Sequence, residues 1–160
     1  MTKGTELTDG GTILPDDELI VIRGGGNARV ILGVEGTFTP TVIFAGGSGT
    51  TYSEQQGNYI RVGNMITFWG RVVLTSKGSA SGAVKLGGLP IACASRHHAI
   101  TVGYANGCSI TAGESITGYV SSGTTEIVLV LWEPVSGTAA LDASEVTNTF
   151  NLIYSGSYRI

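Results

Sequence analysis

Short stretches of alternating apolar and polar residues run along the chain and predict β-strands. The most regular one is "NMITFWGRVVLT" at 64–75. Successive side chains of an extended strand point to opposite faces. One face of this strand carries Ile66, Phe68, Val72 and Leu74. The other carries Met65, Thr67, Trp69, Arg71 and Val73. We predict that the first face is buried, and that a tight turn at Gly63–Asn64 joins this strand to the preceding "YIRV".

The same pattern predicts strands along the rest of the chain. They lie at 39–44, 82–88, 99–104, 115–121, 125–133 and 147–155, and "ELIVIRGGGNARVIL" at 18–32 predicts a hairpin with "GGGN" at its turn. The one helical candidate, "ALDASEVTN" at 140–148, is too short to be convincing. Because the connections are too short for helical crossovers, the strands should pair antiparallel. The expected fold is an all-β, antiparallel, jelly-roll-like β-sandwich with a short N-terminal hairpin or connector.

A change in composition near Gly36 predicts two parts of the chain. Five of the 12 acidic residues lie between positions 6 and 18, and the later sequence is richer in aromatic residues. We place the boundary at about 34–37. Residues 1–35 form the predicted connector, and residues 36–160 form the predicted sandwich head.

The stretch "TEIVLVLW" at 125–132 is apolar on both faces of a strand. A strand with one solvated face should alternate apolar and polar residues, so both faces here need to be covered. One face would meet the sandwich core. A neighbouring subunit and the chain's own loops are equally good candidates for covering the other.

Composition excludes several classes of protein. The chain has 25 Gly, 4 Pro and only 13% charged residues, which favours strands and tight turns over disorder. The net charge of −3 and the scattered cations argue against nucleic acid as a partner. No apolar run approaches the roughly 20 residues of a membrane span, and the N-terminus lacks the apolar core of a signal peptide. We therefore expect no membrane insertion, and synthesis and folding in a cytoplasm.

Residues that could carry chemistry do not form a recognisable site. Cys93 and Cys108 are expected to be reduced, buried thiols, with a disulfide as the alternative. His97 and His98 would point to opposite faces of a strand, so one is expected to be buried with a partner and the other solvated. The spacing of these residues matches no zinc pattern, and we expect no metal and no cofactor.

Binding is a better-supported class of function than catalysis. The sequence contains no "GxSxG" elbow, and most acidic residues lie in predicted turns or in the N-terminal segment, so we expect no enzymatic activity. Tyr104 and Asn106, in the predicted turn "GYANG", and Tyr119, within a predicted strand, are candidate sugar contacts. Trp69 and Trp132 are expected to pack in the core, with a surface or interface position as the alternative.

Three quoted segments carry a resemblance to a known family. They are "GTFTPTVIF", "YSEQQGNYIRVGNMITFWGRVVLTSKGSASGAVKLGGLP" and the terminal "YSGSYRI". They resemble the C-terminal β-sandwich head domains of bacteriophage tail fibres and tailspikes. The shared pattern has a Phe-Thr-Pro strand, a Tyr-x-x-Gln-x-Gly-x-Tyr turn over 52–59, Arg-x-Gly-Asn at 61–64, and Gly-Leu-Pro at 88–90. The segment "LTDGGTILPDDELIVIRGGGNARVILG" is similar to the connectors that precede such heads.

The resemblance implies a homotrimeric virion protein that attaches the particle to a host surface glycan. Residues 1–35 would join it to other structural proteins of the virion, and assembly would take place in the cytoplasm of the host bacterium. The chain departs from typical fibres because it passes almost directly from connector to head. The alternative function is a structural decoration of the capsid or tail that has no ligand of its own.

Overall fold

The computed structural model describes residues 18–23, 26–31 and 33–160, the first two ranges by their strand pairing alone. Strand β1 (Glu18–Arg23) pairs antiparallel with β2 (Gly26–Ile31), which confirms the predicted N-terminal hairpin. Gly24 and Gly25 of the predicted turn lie outside the described residues, as do residues 1–17 of the predicted connector. The boundary at 34–37 stays a prediction.

Ten further strands form one antiparallel sheet. They are β3 (Val34–Phe38), β4 (Thr41–Gly46), β5 (Thr51–Val62), β6 (Met65–Ser76), β7 (Ser81–Gly87), β8 (His98–Cys108), β9 (Ser115–Val120), β10 (Ile127–Glu133), β11 (Gly137–Ala140) and β12 (Val146–Arg159). Their order is β3-β5-β6-β12-β8-β9-β10-β7-β4, and β11 pairs with β10 outside this path. The predicted all-β antiparallel class is confirmed.

The weak helical pattern at 140–148 corresponds to a single 3₁₀ turn, Ala143–Glu145. Asp142 caps it by accepting a hydrogen bond from the Ser144 N–H, while the Glu145 carboxylate accepts one from the Asp142 N–H. Strand β12 starts at the next residue. Within the described ranges, no helix is long and apolar enough to cross a membrane.

The sheet curls back on itself into a sandwich. Strands β3 and β4 are separated by only Thr39 and Pro40 in the chain, yet they lie at opposite ends of the strand order. The two ends of the sheet must therefore approach each other. Strands β3, β5, β6, β12 and β8 form one layer, and β9, β10, β7 and β4 form the other. Only three residue pairs, 98–100 with 118–120, join β8 to β9 between the layers.

The predicted buried face of β6 is confirmed. Ile66, Phe68 and Val72 have no exposed surface, and they belong to one apolar cluster that fills the space between the layers. The Phe68 ring lies 5.7 Å from the ring of Tyr158 and 6.2 Å from that of Tyr154. Full burial of each large apolar side chain contributes about 1.5–3 kcal/mol to the stability of the fold.

The segment Tyr52–Tyr59, predicted as a turn, is part of the 12-residue strand β5, so that prediction is wrong. Its residues close the curled sheet. Tyr52 bonds the free backbone edge of β4 at Val42, and the Gln55 amide donates to the Pro40 carbonyl at 2.8 Å. Two polar side chains of this long strand, Tyr52 and Gln55, thus find their partners at the opposite end of the sheet, whereas Gly57 makes room for the Phe38 ring of the adjacent β3. The predicted tight turn at Gly63–Asn64 is confirmed, with Gly63 at a φ of 59°.

Strand β10 is buried on one face and only partly covered on the other. Ile127, Leu129 and Leu131 face the core and are at most 2% exposed. Val128 and Val130 are half-buried. The expected core positions of Trp69 and Trp132 are wrong, because these side chains are 44% and 56% exposed on the outer faces.

Candidate functional site

The candidate site forms where the two layers separate along β8. Beyond Ile100, this strand keeps its pairing with β12 but no longer pairs with β9. The segment 102–108 and the start of β9 therefore each keep one backbone edge without a strand partner in the described part of the chain. Free strand edges present N–H donors and C=O acceptors to whatever lies beside them.

A bulge in β8 sets the direction of Tyr104. Val102 pairs with Tyr154, and Tyr104 pairs with Ile153, so Gly103 is the extra residue. The bulge puts Tyr104 on the outer face together with Ile153, which is 42% exposed. The predicted "GYANG" turn is thus wrong, because these residues lie within β8.

An open groove of about 450 Å³ occupies the gap between the strands. Its apolar base continues into the core through half-buried Ile110 and through Ile116, which is 9% exposed. Among the described residues, no charged side chain lines it. The lining residues are Val102, Gly103, Tyr104, Ala105, Asn106, Gly107, Cys108, Ile110, Ser115 and Ile116.

Tyr104 and Asn106 form one polar unit on this groove. The Asn106 Nδ2 donates a hydrogen bond to the Tyr104 hydroxyl at 3.0 Å, and the Asn106 Oδ1 accepts one from the Gly107 N–H. The Tyr104 side chain is 44% exposed, so a face of the ring is accessible. Each side chain keeps one unused donor, the phenol O–H of Tyr104 and the second amide N–H of Asn106.

Tyr119, the third predicted contact, does not line the groove. It pairs with Val128 on β10, and its ring meets the edge of His97 with centroids 4.8 Å apart. The structure therefore brings together two of the three predicted ligand residues. Whether any of the three binds a ligand stays a prediction.

The two histidines differ from expectation. His97 is exposed, yet its Nδ1 accepts a hydrogen bond from the Ser122 N–H at 3.2 Å. Within the residues that the structure describes, the Nε2 of half-buried His98 has no hydrogen-bond partner. The buried imidazole thus lacks the expected partner, and the solvated one has it. In the portion that the structure describes, no three His, Cys, Asp or Glu residues are grouped to hold a metal.

Both cysteines are free thiols, which confirms the expectation of reduced residues. Cys93 is buried, whereas Cys108 is half-buried at the groove. Burial raises the pKa of the Cys108 thiol. Cys108 is therefore protonated at neutral pH and is a poor nucleophile, since the thiolate is the reactive form.

Carboxylates flank the groove. The Glu114 carboxylate accepts a hydrogen bond from the Thr111 N–H at 3.0 Å, in the loop between Ile110 and Ser115. Asp142 lies in the neighbouring 3₁₀ turn. Hydrogen bonds from the Ser144 backbone and hydroxyl, together with the nearby Lys77 ammonium, lower the pKa of Asp142 and keep it ionised.

Sequence reasoning missed the groove itself. Gly103, Cys108 and Ile116 were not predicted to share a site, because the bulge and the end of β8–β9 pairing depend on partner strands far away in the chain. The only local signal was "GYANG", whose glycines flank the exposed tyrosine and amide.

Comparison with known proteins gives one informative likeness. The fold resembles the crystal structure of the Dettilon tailspike protein, with a TM-score of 0.71 and 24% sequence identity over 80% of this chain. The match covers 24% of the tailspike chain, so the present chain corresponds to about a quarter of that protein's length. No protein-family model matches the sequence, and no curated protein matches it either. At this identity, the likeness bears on the fold.

Proposed function

We propose that this chain is a fibre or spike component of a bacteriophage virion, assembled in the cytoplasm of the host bacterium, that attaches the particle to a host surface polysaccharide. The likeness of its fold to a tailspike protein carries the proposal. The head-domain motifs at 52–59, 61–64 and 88–90 support it independently. The groove beside Tyr104 and Asn106 is the ligand site in this proposal.

The position of the groove suits attachment. The chain reaches the sandwich at Gly33, and Val34 pairs with Arg61 at one end of the strands. Along β12, Arg159 pairs with Met65 at that end, and Asn151 pairs with Asn106 at the groove. The eight residue steps from Asn151 to Arg159 span about 26 Å, so the groove and the point where the chain enters the sandwich lie far apart. If residues 1–35 join the head to other virion proteins, the groove faces away from the particle.

Self-association, as a homotrimer, is part of the proposal. The partly covered face of β10 with Trp132, and exposed Ile43 on β4, leave apolar surface on one side of the sandwich. Apolar surface of this kind marks interfaces more often than monomer surfaces. Light scattering of the full chain at micromolar concentration should give a trimer mass, and a stable monomer would remove this part of the proposal.

Attachment is tested by competition. Purified protein should bind susceptible bacteria and should reduce the adsorption of intact virions when added first. Failure to bind such cells, together with normal adsorption of particles that lack the protein, would overturn the proposal. Absence of new reducing ends from the bacterial polysaccharide is the expected result for a protein that binds without cleaving.

A structural decoration without a ligand is the second candidate. The exposed apolar side chains favour it, because they suit contacts with other virion proteins as well as contacts between copies. Immunogold labelling separates the two functions. Label on the tail tip supports attachment, and label confined to the capsid shell supports decoration.

A further inference from the structure

We infer that the groove between β8 and β9 takes an uncharged saccharide unit and discriminates against anionic sugars. This inference rests on the proposed function, which it narrows to a chemical class of ligand. It follows from three features of the groove: its polar donors, its free strand edges and the charges that surround it.

The lining suits a neutral polyhydroxylated ligand. Tyr104 offers an accessible aromatic face, and the Tyr104–Asn106 unit leaves an O–H and an N–H to meet ligand oxygens. Ligand sites typically combine apolar surface with a few placed polar groups in this way. A Cβ added at Gly103 would meet nothing within 4 Å, so the bulge leaves open space next to the ring.

The free edges supply N–H donors and C=O acceptors, although the Asn106 and Gly107 carbonyls already accept from the Cys108 thiol and the Thr147 hydroxyl. Residues 102–108 of β8 bond β12 on one side only, and Ser115 and Ile116 of β9 bond β10 on one side only. Each hydroxyl of a sugar both donates and accepts a hydrogen bond, so it can pair with either kind of backbone group. A carboxylate or phosphate can only accept, so it would leave the C=O groups of the groove unpaired.

The charges around the groove repel anions. Glu114 directly precedes the lining residue Ser115, and the Glu145 carbonyl accepts a hydrogen bond from the Ser109 N–H, between the lining residues Cys108 and Ile110. Asp142 lies in the same 3₁₀ cap as Glu145. Repulsion between such half-buried carboxylates and an anion acts over about 8–10 Å at physiological salt.

The nearby cations offset this repulsion only in part. The Lys77 ammonium donates to the carbonyls of Ala143 and Val146, both at 2.7 Å, and its charge helps to lower the pKa of Asp142. Arg71 lies two strands from Tyr104, through Ile153, and its guanidinium pairs with Glu54 at 3.1 Å. Among the residues that the structure describes, the Glu114, Asp142 and Glu145 carboxylates thus outnumber the Lys77 ammonium, while the charge of Arg71 is paired with Glu54.

The experiment uses the surface polysaccharide of a susceptible bacterium, partly hydrolysed and separated by anion exchange into neutral and anionic oligosaccharides. The full-length protein is bound to the same cells, and each fraction is tested as a competitor. We expect the neutral fraction to displace the protein from the cells. The anionic fraction should be an at least about tenfold weaker competitor at low salt, where repulsion is least screened. Replacing Glu114 with Gln keeps an oxygen for the Thr111 N–H and should narrow that difference by roughly 2–5-fold.

Cys108 provides a second readout that does not depend on cells. At mildly alkaline pH, where part of the Cys108 thiol is ionised, the neutral fraction should slow alkylation of Cys108 by N-ethylmaleimide, measured by mass spectrometry, while buried Cys93 stays unlabelled as an internal control. Tyr104→Phe keeps the ring but loses the hydroxyl. About fivefold more of the neutral fraction should then be needed to give the same protection of Cys108.

The outcomes separate the two claims. Cell binding that the anionic fraction displaces as well as the neutral fraction would overturn the inference and leave the attachment function standing. Displacement by the neutral fraction without protection of Cys108 would place the saccharide elsewhere and also overturn the inference. Absence of any cell binding by the wild-type protein would overturn the proposed function, and the inference with it.

Discussion

The Tyr52 hydroxyl bonds both backbone groups of Val42, accepting from its N–H at 2.9 Å and donating to its carbonyl at 3.2 Å. Val42 belongs to β4, the last strand of the sheet, and Tyr52 belongs to β5 near the other end. One side chain therefore satisfies a free strand edge and ties the ends of the curled sheet together.

Removing this hydroxyl should destabilise the closure. Tyr52→Phe keeps the ring but leaves two backbone groups without their partner, and we expect the free energy of unfolding to fall by about 1–3 kcal/mol. Tyr59→Phe is the control, because the Tyr59 hydroxyl forms no hydrogen bond within the described part of the chain. Chemical denaturation measures both, and equal stabilities of the two variants would contradict the closing role of Tyr52.

A glycine in β6 makes room for a buried tyrosine. A Cβ on Gly70 would lie 2.8 Å from the Tyr154 hydroxyl and 3.0 Å from the Gln56 carbonyl oxygen. Gly70→Ala should therefore lower the midpoint of thermal unfolding, at a cost of about 1–3 kcal/mol. Gly103→Ala, at the open bulge, should change stability by less than about 0.5 kcal/mol. If Gly70→Ala is as stable as the wild type, β6 and β12 can move apart to admit the methyl group at little cost in free energy.

Burying a charge on the inner face of β6 should prevent folding. Phe68 has no exposed surface and contacts three aromatic rings, so Phe68→Asp would place a carboxylate in the core at a cost of several kcal/mol. The neighbouring Thr67→Asp points outward and should fold. Circular dichroism and gel filtration distinguish the two, and a soluble, trimeric Phe68→Asp protein would show the register of this strand to be wrong.

Buried tyrosines should make the fold sensitive to alkali. Burial raises the pKa of Tyr158 to about 12, from about 10 in an unfolded chain, and it also raises that of Tyr154. Between those two values the unfolded state loses the Tyr158 proton while the folded state keeps it, so stability is complete below pH 10 and falls as pH rises toward 12.

Tyr158→Phe tests this pH dependence. The variant loses the hydrogen bond to the Ile91 carbonyl, so it should be about 0.5–1.5 kcal/mol less stable at neutral pH. Its stability should nevertheless decline less steeply above pH 10. Denaturant titrations at several pH values measure both slopes, and parallel alkaline declines would show that Tyr158 does not carry the effect.

Local patterns predicted the elements that local physics determines. The faces of β6 follow from strict alternation over 12 residues, and the β5–β6 turn follows from a glycine that can adopt positive φ. The N-terminal hairpin followed from two alternating runs around glycines. None of these required knowledge of a distant partner.

Features that depend on partner strands escaped prediction. Residues 52–59 resembled a turn because the partners of Tyr52 and Gln55, at Val42 and Pro40, come within reach only after the sheet curls. Tyr104 and Asn106 resembled a turn because the bulge that orients them is defined by β12. Trp132 was expected in the core because large aromatic side chains usually pack there, and the sequence of β10, apolar on both faces, does not specify which face lies against the other layer.

The most direct test of the account compares the binding of two folded variants to susceptible bacteria. Tyr104→Ala removes the aromatic face of the groove, and Tyr119→Ala removes a tyrosine that lies beside His97, outside the groove. We predict that Tyr104→Ala loses at least about tenfold in affinity for the cells, while Tyr119→Ala binds as the wild type does. Wild-type binding by Tyr104→Ala, with loss confined to Tyr119→Ala, would contradict this prediction and move the ligand site to the other layer.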